Sequence, residues 1–438
     1  PLRRFRPRRH LPQGIRLHRG ERGGQGQGSA GLIQLKPLPP TPAAAGVLLY
    51  LNTFKRPHPN LGAIALNKLP SVLFLIHSLA PAGSQGDTAW NAGTFLASNR
   101  IQLEPAKKAV IELGLQPKLL NIRAEKPNCL QLLGDPSCCI VGKLSHPDEA
   151  FAQNILLANL AAISILKSRS IPILVSYSDN LAGHTNTSVA SLYRSLLWHA
   201  DAVLYPCQAM QKLGKPWLNP NNPAQEWIIE DPWQVDEQPY REFKPDQPCR
   251  IIWFGHSSNS HYLLNELPKL LQSCNTHANY ELTILSDSAT HNKAKQHLKK
   301  LPQHKPWTLR SIQWDNNYQP EQLTSELSRA HIAIIPSDIR DKRKLAASHN
   351  RAIDSIQAGC MVIASPLPSY KELNKLLLLS ENFSETINAG IKQYSRLTRK
   401  WEVHRKSHME RFSPSTNAGK WRNTIKTLVQ SHKQKRMA

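Results

Sequence analysis

The sequence predicts an α/β protein in which two parallel sheets, each flanked by helices, follow one another along the chain. Short apolar runs alternate with segments of helical period, which is typical of parallel sheets with helices on their faces. The alternation restarts after residues 231–248 (DPWQVDEQPYREFKPDQP), a segment rich in proline and charge that suits a linker. The length of 438 residues also fits two domains of ordinary size better than one.

The first half opens with residues 71–77 (SVLFLIH), a continuous apolar run typical of a strand buried on both faces of a sheet. Further strands are predicted at 138–142, 172–177 and 202–205, with helices at 151–167 and 189–199. The apolar stretch 155–166 is shorter than the roughly 18 residues needed to span a bilayer, so we interpret it as part of a buried helix.

The second half repeats the pattern, beginning with a strand predicted at 250–255 (RIIWFG). Further strands are predicted at 281–286, 309–314, 331–336 and 361–365, with helices at 262–274, 320–330 and 348–358. A last helix at 417–431 carries Trp421, Ile425 and Leu428 on one side, which predicts that this side packs against the body of the protein.

Basic residues are concentrated at the start of the chain. The whole sequence holds 55 Lys+Arg and 31 Asp+Glu, a formal charge of +24, and residues 1–70 carry 12 of these cations with one acid. Because residues 1–69 are also rich in Gly and Pro, we expect a disordered extension there, with a basic arm for RNA or anionic lipid as the alternative. Beyond it, no aromatic–basic interleaving is found, so no specific nucleic-acid partner is expected.

The seven cysteines show neither a CxxC pair nor a paired Cys/His spacing. The sequence therefore predicts no zinc site and no disulfide framework, and reduced thiols in a cytoplasmic protein are the simplest interpretation. No apolar signal-peptide core follows the N-terminal arginines.

Residues 341–365 (DKRKLAASHNRAIDSIQAGCMVIAS) form the segment best suited to ligand binding, because ligands of parallel sheets lie where strands and loops lead into helix N-termini. Ser348 is expected to cap the helix of this segment. Ile353 and Ile356 are expected to face the core, and Gly359 to take the left-handed conformation that ends the helix.

The charged and polar side chains of this segment fall at one end of the predicted helix. Lys342, Arg343 and Lys344 lie just upstream of it. Asn350 and Asp354, four residues apart, share one face. An anion bound there would meet the helix dipole, free backbone amides and fixed cations together, so the segment predicts a site for a phosphate-bearing ligand.

The helix, its AG turn, the strand VIAS and the loop PLPSYKE at 366–372 resemble the donor-binding segment of GT-B glycosyltransferases, in particular the large retaining family called group 1. In that family a Glu-x7-Glu motif precedes the AG turn, and its second Glu binds the ribose of the nucleotide sugar. Asp354 occupies that position here, whereas Ala346 stands where the first Glu contacts the sugar. The resemblance implies that Asp354 binds the ribose, with Lys344 and the pair Asn350–Arg351 as substitute contacts.

Other segments resemble the same family in the same order, from about residue 71 to residue 430. RIIWFGHSSN is similar to the first strand and loop of the family's C-terminal domain, and HADAVLYPC to a strand of its N-terminal domain. The resemblance implies two Rossmann-like domains that face a cleft, with a C-terminal helix that crosses back to the N-terminal domain. The expected donor-binding residues are Gly255, His256, Asn259, Lys344, Ser348, Asn350, Arg351 and Asp354.

The expected domain boundaries follow from these segments. They are an extension at 1–69, an acceptor domain at 70–230, a linker at 231–248, a nucleotide-sugar donor domain at 249–414, and the crossing helix with a basic tail at 415–438.

The expected catalytic residues lie in SDNLAGH, residues 178–184, which follow a predicted strand. The family places a His–Asp pair facing the sugar here, and Ser178 stands at the His position. Asp179 is expected to act as a base on the acceptor hydroxyl or to orient the donor sugar, and His184 to do either. The alternative is that Asp179 caps the following helix or turn.

The resemblance predicts a hexosyltransferase-like enzyme that moves a sugar from a nucleotide diphosphate sugar to a hydroxyl of a glycan or lipid-linked acceptor, as in bacterial polysaccharide or lipopolysaccharide synthesis. The chain has no Asp-x-Asp motif, so we expect no bound metal and no cofactor, and cations with helix dipoles hold the diphosphate. The basic surface suits peripheral docking at the inner face of an anionic membrane. Two alternatives remain: a degenerate GT-B domain that binds nucleotide sugar or glycan without turnover, and a GT-B-like sugar-nucleotide 2-epimerase.

Overall fold

The computed structural model describes residues 69–437, apart from Leu79, 92–97, Pro147, 184–186, Pro245, 274–278, 300–306 and 315–319. The extension predicted at 1–69 therefore lies outside the described residues except for its last residue, Leu69.

Two six-stranded parallel sheets form the two halves of the protein, which confirms the predicted α/β class. The strands of the first sheet are β1 (Ser71–Leu75), β2 (Gln116–Leu120), β3 (Cys138–Val141), β4 (Ile173–Ser176), β5 (Ala202–Tyr205) and β6 (Gln225–Ile228). Those of the second are β7 (Cys249–Phe254), β8 (Tyr280–Ser286), β9 (Trp307–Gln313), β10 (Ile332–Ile335), β11 (Met361–Ala364) and β12 (Leu378–Leu379). The spatial orders are β2-β1-β3-β4-β5-β6 and β12-β11-β10-β7-β8-β9.

The helices connect and flank these strands. They are α1 (Gly86–Asn91), α2 (Glu104–Glu112), α3 (Glu149–Ser168), α4 (Thr187–Trp198), α5 (Gln208–Gly214), α6 (Ser260–Ser273), α7 (Ser288–Leu298), α8 (Pro320–Arg329), α9 (Asn350–Gln357), α10 (Pro368–Lys371), α11 (Phe383–Lys392), α12 (Tyr394–Met409) and α13 (Pro414–Met437).

The central strands are apolar because both faces of each sheet are covered. All residues of β1, β3, β4 and β5 are buried, as expected of strands between two layers of helices. Each predicted strand is found within about two residues of its predicted bounds.

Helix α3 is the one described helix that is long and apolar enough by composition to cross a membrane. Its apolar character has a local explanation, because Ile155, Leu156, Ile163 and Leu166 belong to the buried core of the first half. The interpretation of this segment as a core helix therefore agrees with its packing.

The C-terminal helix α13 returns to the first half, as predicted. Trp421, Ile425 and Leu428 are buried in an apolar cluster that contains Val72 and Phe74 of β1. At the edge of this contact, Arg422 of α13 forms an ion pair with Glu112 of α2.

The six cysteines that the structure describes are all buried thiols, whereas Cys274 lies outside the described residues. Burial raises the pKa of the Cys138 and Cys207 thiols to about 12, so both are protonated at neutral pH.

Candidate active site

A loop from the second half reaches across to the first half. This bridging loop, residues 336–349, follows β10 and precedes α9. The Asn180 side-chain amide donates to the Lys342 carbonyl over 3.0 Å, and Ala346 is fully buried within the core of the first half. The Cys207 thiol lies 3.8 Å from the Ala346 carbonyl oxygen. The bridging loop therefore brings basic side chains of the second half to the carboxyl edge of the first sheet.

Two aspartates organise this loop locally. Asp338 pairs with Arg340, and Asp341 pairs with Arg343 over 2.9 Å while accepting a 2.8 Å bond from the Tyr262 hydroxyl. Burial alone would raise the pKa of Asp341, but the bonds from Arg343 and Tyr262 outweigh it and hold this pKa at about 2. Arg340 and Arg343 are thus largely balanced within the loop.

Lys344 is a basic residue of the bridging loop whose pKa is shifted by charged groups of both halves. Burial lowers the pKa of Lys344, the charge of Asp179 raises it, and the like charges of Arg351 and Lys143 lower it further. Lys143 lies two residues past β3, in the first half, and was not predicted as a site residue. Cations from three separate segments therefore converge at the contact between the halves.

Asp179 lies among these cations and forms an ion pair with the Lys143 ammonium. Burial would raise the pKa of Asp179, but Lys143, Lys344 and Arg343 outweigh it and hold this pKa below its usual value. Asp179 is therefore ionised at neutral pH, and its carboxylate is paired with the Lys143 ammonium. A carboxylate with a lowered pKa that is already paired with a cation is a weak general base. Its catalytic role stays a prediction, and His184, the other expected catalytic residue, lies outside the described residues.

Asp179 lies in a hydrogen-bonded turn. The Tyr177 hydroxyl donates to the Asn180 side-chain oxygen over 3.1 Å and accepts from the Ala182 amide over 3.0 Å. A side chain at Gly183 would meet Asn180 at 2.6 Å, so the turn closes tightly on this amide. Asn180 is also the residue that binds the bridging loop, and the turn and the loop are fixed together.

Arg351 lies against the backbone of Gly255, at the carboxyl end of β7. Gly255 has a φ of +154°, and a Cβ there would lie 3.6 Å from Arg351 Nη1 and 3.5 Å from the Trp253 ring. Arg351 Nη1 is buried and has no hydrogen-bond partner among the described residues. A guanidinium beside an open backbone loop is suited to an oxygen-rich ligand.

His256 and Asn259 lie in the turn that follows Gly255, as expected, but they face different surroundings. His256 is three-quarters exposed, and its Nδ1 accepts from the Ser258 amide over 3.2 Å. Asn259 Oδ1 is buried without a partner in the described part of the chain. Asp287 fixes the turn by accepting from the Ser257 amide over 2.8 Å.

The prediction that Ser348 caps the following helix is wrong. Helix α9 begins at Asn350, and His349 takes the N-cap position without a capping side-chain bond. The Ser348 hydroxyl instead forms a hydrogen bond with Asp231. Asp231 is a buried carboxyl, and buried polar groups are generally hydrogen-bonded. Asn350 serves its own helix turn, because its side-chain oxygen accepts from the Arg351 amide over 2.7 Å.

Asp354 is 2% exposed and contacts the segment that links the two halves. Its carboxylate accepts from the Gln234 backbone amide over 2.8 Å and lies 3.4 Å from the Gln234 side-chain amide. Burial raises the pKa of Asp354 to about 7. The structure therefore shows Asp354 bonded to the linking segment, and its ribose-binding role stays a prediction.

Asp231 is a second buried carboxyl in this region that the sequence did not single out as a site residue. It is 4% exposed and accepts from the Gln102 side-chain amide over 3.2 Å, besides the Ser348 hydroxyl. Burial raises the pKa of Asp231 to about 6. In the sequence, Asp231 is recognisable as part of the Asp-Pro pair that opens the linker at 231–248. That pair indicates a crossing between domains and does not indicate a catalytic or binding role.

Replacement of Asp354 by Asn is expected to flatten the pH dependence of stability between pH 4 and pH 8. The folded pKa of Asp354 lies above the unfolded value of about 3.9, so its stabilising contribution is present in full below that value and is lost as the pH rises through 7. A difference of about three pKa units corresponds to roughly 4 kcal/mol, and chemical unfolding at several pH values measures the loss.

The matched control for this prediction is Asp246→Asn, an exposed carboxyl on the same linking segment. This variant should keep the wild-type pH profile. An Asp354→Asn profile as steep as that of the wild type would contradict the assignment.

Glu372 provides another link between the halves. Its carboxylate accepts from the Ala209 amide at the start of α5 over 3.2 Å, and it lies 3.5 Å from His349 and 3.9 Å from Arg411. The acid of the loop PLPSYKE therefore fixes the second half against a helix N-terminus of the first.

The carboxyl edge of the first sheet presents polar side chains toward this region. His77, Lys143 and Ser178 each lie two residues past the end of neighbouring strands β1, β3 and β4. His77 Nδ1 and Ser178 Oγ are buried without partners within the described ranges. Burial, together with His146 and Arg123, lowers the pKa of His77 to about 4, so this imidazole is neutral at pH 7.

In the described residues, no group of three or more His, Cys, Asp or Glu side chains is arranged to hold a metal ion.

These two Rossmann-like halves, with the C-terminal helix crossing back to the first, define the GT-B fold. By structure the chain is similar to Anabaena Alr3699/HepE in complex with UDP and glucose, with a TM-score of 0.55 and 12% identity over 82% of this chain and 100% of that one. The HepE complex with UDP-glucose gives a TM-score of 0.52 and 12% identity over 82% and 99% of the two chains. At this identity the similarity shows the fold alone. No family model matches the chain, and no curated sequence is significantly similar to it.

Proposed function

We propose that the protein is a glycosyltransferase that moves a sugar from a nucleotide diphosphate sugar to a hydroxyl of a glycan or lipid-linked acceptor. The observation that carries the proposal is the convergence of Lys344, Arg351 and the Gly255 loop at the contact between the halves of a GT-B fold. UDP and UDP-glucose, the ligands of the similar HepE structures, support a nucleotide sugar as the donor.

The charges of this site match a diphosphate. Lys143, Lys344 and Arg351 carry three positive charges, and Asp179 carries one negative charge among them. The net charge of +2 equals in size the two negative charges of the diphosphate in a nucleotide sugar. Arg343 adds little because Asp341 balances it.

In this proposal the cations act on the leaving group. As the glycosidic bond to the donor breaks, negative charge grows on the diphosphate oxygens, where Lys344 and Arg351 stabilise it without help from a metal ion. Asn180 and Glu372 link the two halves beside this site. In this proposal, closure of the halves around the donor excludes water and so protects the donor from hydrolysis. The acceptor hydroxyl lies at the carboxyl edge of the first sheet, near Ser178 and Asp179.

The remaining parts of the proposal rest on the sequence alone. They are a cytoplasmic protein without cofactor, with peripheral docking at an anionic membrane favoured by the formal charge of +24.

The test is a thermal-shift panel on the full chain with UDP, GDP, ADP, CDP and their sugars. One nucleotide series is expected to raise the melting temperature of the wild type, because a ligand that binds only the folded state stabilises it. The shift should be lost in Lys344→Ala and Arg351→Ala. It should be kept in Lys293→Ala, which removes an exposed lysine on α7. A cooperative melt that no nucleotide shifts would overturn the proposal.

One observation favours the alternative of a binding protein without turnover. Ala346, at the position of the family's sugar-contacting Glu, is fully buried and offers no polar group to a sugar. An enzyme releases nucleoside diphosphate in an acceptor-dependent reaction, whereas a binding protein is stabilised by the donor and releases none in the presence of any acceptor.

A further inference from the structure

The ion pair of Lys143 and Asp179 gives these two residues separate roles in diphosphate binding, beyond the charge balance of the proposed function. We propose that Lys143 is a diphosphate ligand supplied by the first half, and that Asp179 is its positioning residue, an internal counter-ion that holds the cations together while no diphosphate is bound. This inference rests on the proposed function.

The pair lies at the carboxyl edge of the first sheet. Lys143 follows β3 and Asp179 follows β4, and these strands are neighbours with Val141 opposite Val175. The side chains of Lys143 and Asp179 are 29% and 26% exposed, so a ligand can reach them. The pair is therefore neither fully solvated nor sealed in the core.

The carboxylate of Asp179 offsets the positive charge of the cations at this site, as the negative charges of a bound diphosphate would. Arg351 and Lys143 act on Lys344 as like charges, and Asp179 is the carboxylate whose pKa Lys143 and Lys344 lower. Removal of that carboxylate leaves three cations that repel one another, which destabilises the unliganded protein and strengthens its attraction for anions. Asp179 and the diphosphate thus compete for the same cations.

A general base at the position of Asp179 would need properties that differ from those of a counter-ion. It needs a lone pair directed at the acceptor hydroxyl and a proton affinity suited to neutral pH. The Lys143 ammonium takes the Asp179 carboxylate, and the pKa of Asp179 is lowered rather than raised. The two roles predict different results for one measurement, the affinity of the site for a diphosphate. Replacement of Asp179 by Asn raises this affinity if Asp179 is a counter-ion and leaves it unchanged if Asp179 is the base.

The experiment measures binding of inorganic pyrophosphate and UDP by calorimetry at low salt. Asp179→Asn is expected to bind both probes about three- to tenfold more tightly than the wild type and to melt at a lower temperature without ligand. Lys143→Gln should bind about tenfold more weakly, and the double variant should return near the wild-type affinity. The gain in Asp179→Asn should shrink in about 0.5 M salt, because screening weakens it.

The matched control is the ion pair of Lys167 and Asp201. Its side chains are 30% and 21% exposed and it lies at the end of α3, before β5, at the opposite edge of the sheet. Asp201→Asn should lower the melting temperature and leave pyrophosphate binding unchanged. Asp179→Ser serves as the second variant if Asp179→Asn fails to fold.

The outcomes separate this inference from the proposed function. Wild type that binds a probe while Asp179→Asn binds it equally or more weakly overturns the inference and leaves the proposed function standing. Loss of turnover at unchanged affinity would make Asp179 the base and would also overturn it. If neither wild type nor Asp179→Asn binds pyrophosphate or any nucleotide, both are overturned.

Discussion

Replacement of Arg351 by Ala is expected to lower kcat/KM for the nucleotide-sugar donor by about a hundredfold. Arg351 Nη1 lies buried beside the Gly255 loop without a partner in the part of the chain that the structure describes. Its guanidinium is therefore available to donate to the diphosphate, and such charge-assisted bonds strengthen as charge develops on the leaving group. Steady-state kinetics with the donor that the binding panel identifies measures the loss.

Two further variants separate charge from geometry and from packing. Arg351→Lys keeps the charge but loses the planar fork, so an intermediate loss is expected. Arg329→Ala removes an exposed arginine at the end of α8 and should leave the kinetics unchanged. If Arg351→Ala lowered the melting temperature and left kcat/KM intact, Arg351 would be a packing residue and not a donor ligand.

The central strands could be predicted because burial on both faces leaves a signature in the sequence. Strands such as β1 and β11 are almost wholly apolar, and an apolar run bounded by turn residues identifies them. The edge strands β2 (QPKLL) and β6 (QEWI) were missed because each keeps polar residues and is only partly buried. Their pairing with a neighbouring strand, which the sequence does not encode locally, makes them strands.

The candidate site was predictable where one segment supplies it and not where separate segments meet. The spacing around the AG turn placed Lys344 and Arg351 beside one helix start, and the structure brings both to the cation cluster. Lys143 belongs to no motif, and it reaches the cluster because β3 lies next to β4 in the sheet. The burial of Asp354 depends likewise on Gln234, a residue of the linking segment 120 positions away.

Replacement of Gly359 by Ala is expected to destabilise the fold strongly, although it adds a single methyl group. It follows α9 with a φ of +76°, the left-handed conformation predicted from its place after the helix. A Cβ there would collide with the Pro239 carbonyl group, at 2.7 Å from its carbon, and would lie 2.9 Å from the Gln238 carbonyl oxygen. Both obstacles are backbone of the segment that links the halves, so they cannot swing aside as a side chain would.

Gly359→Ala is therefore expected to lower the free energy of unfolding by about 3 kcal/mol or more, from backbone strain and from displacement of the linking segment. That segment is held by the Gln238 amide, which donates to the Gln357 carbonyl over 2.9 Å, and by the Gln234 amide on Asp354. Displacement should therefore also weaken nucleotide binding, although Gly359 is not one of the proposed donor-binding residues. Denaturant unfolding measures the first effect and the binding panel the second. Gly419→Ala, on α13, is the control: its Cβ would meet nothing nearer than 3.9 Å, and it should leave both unchanged.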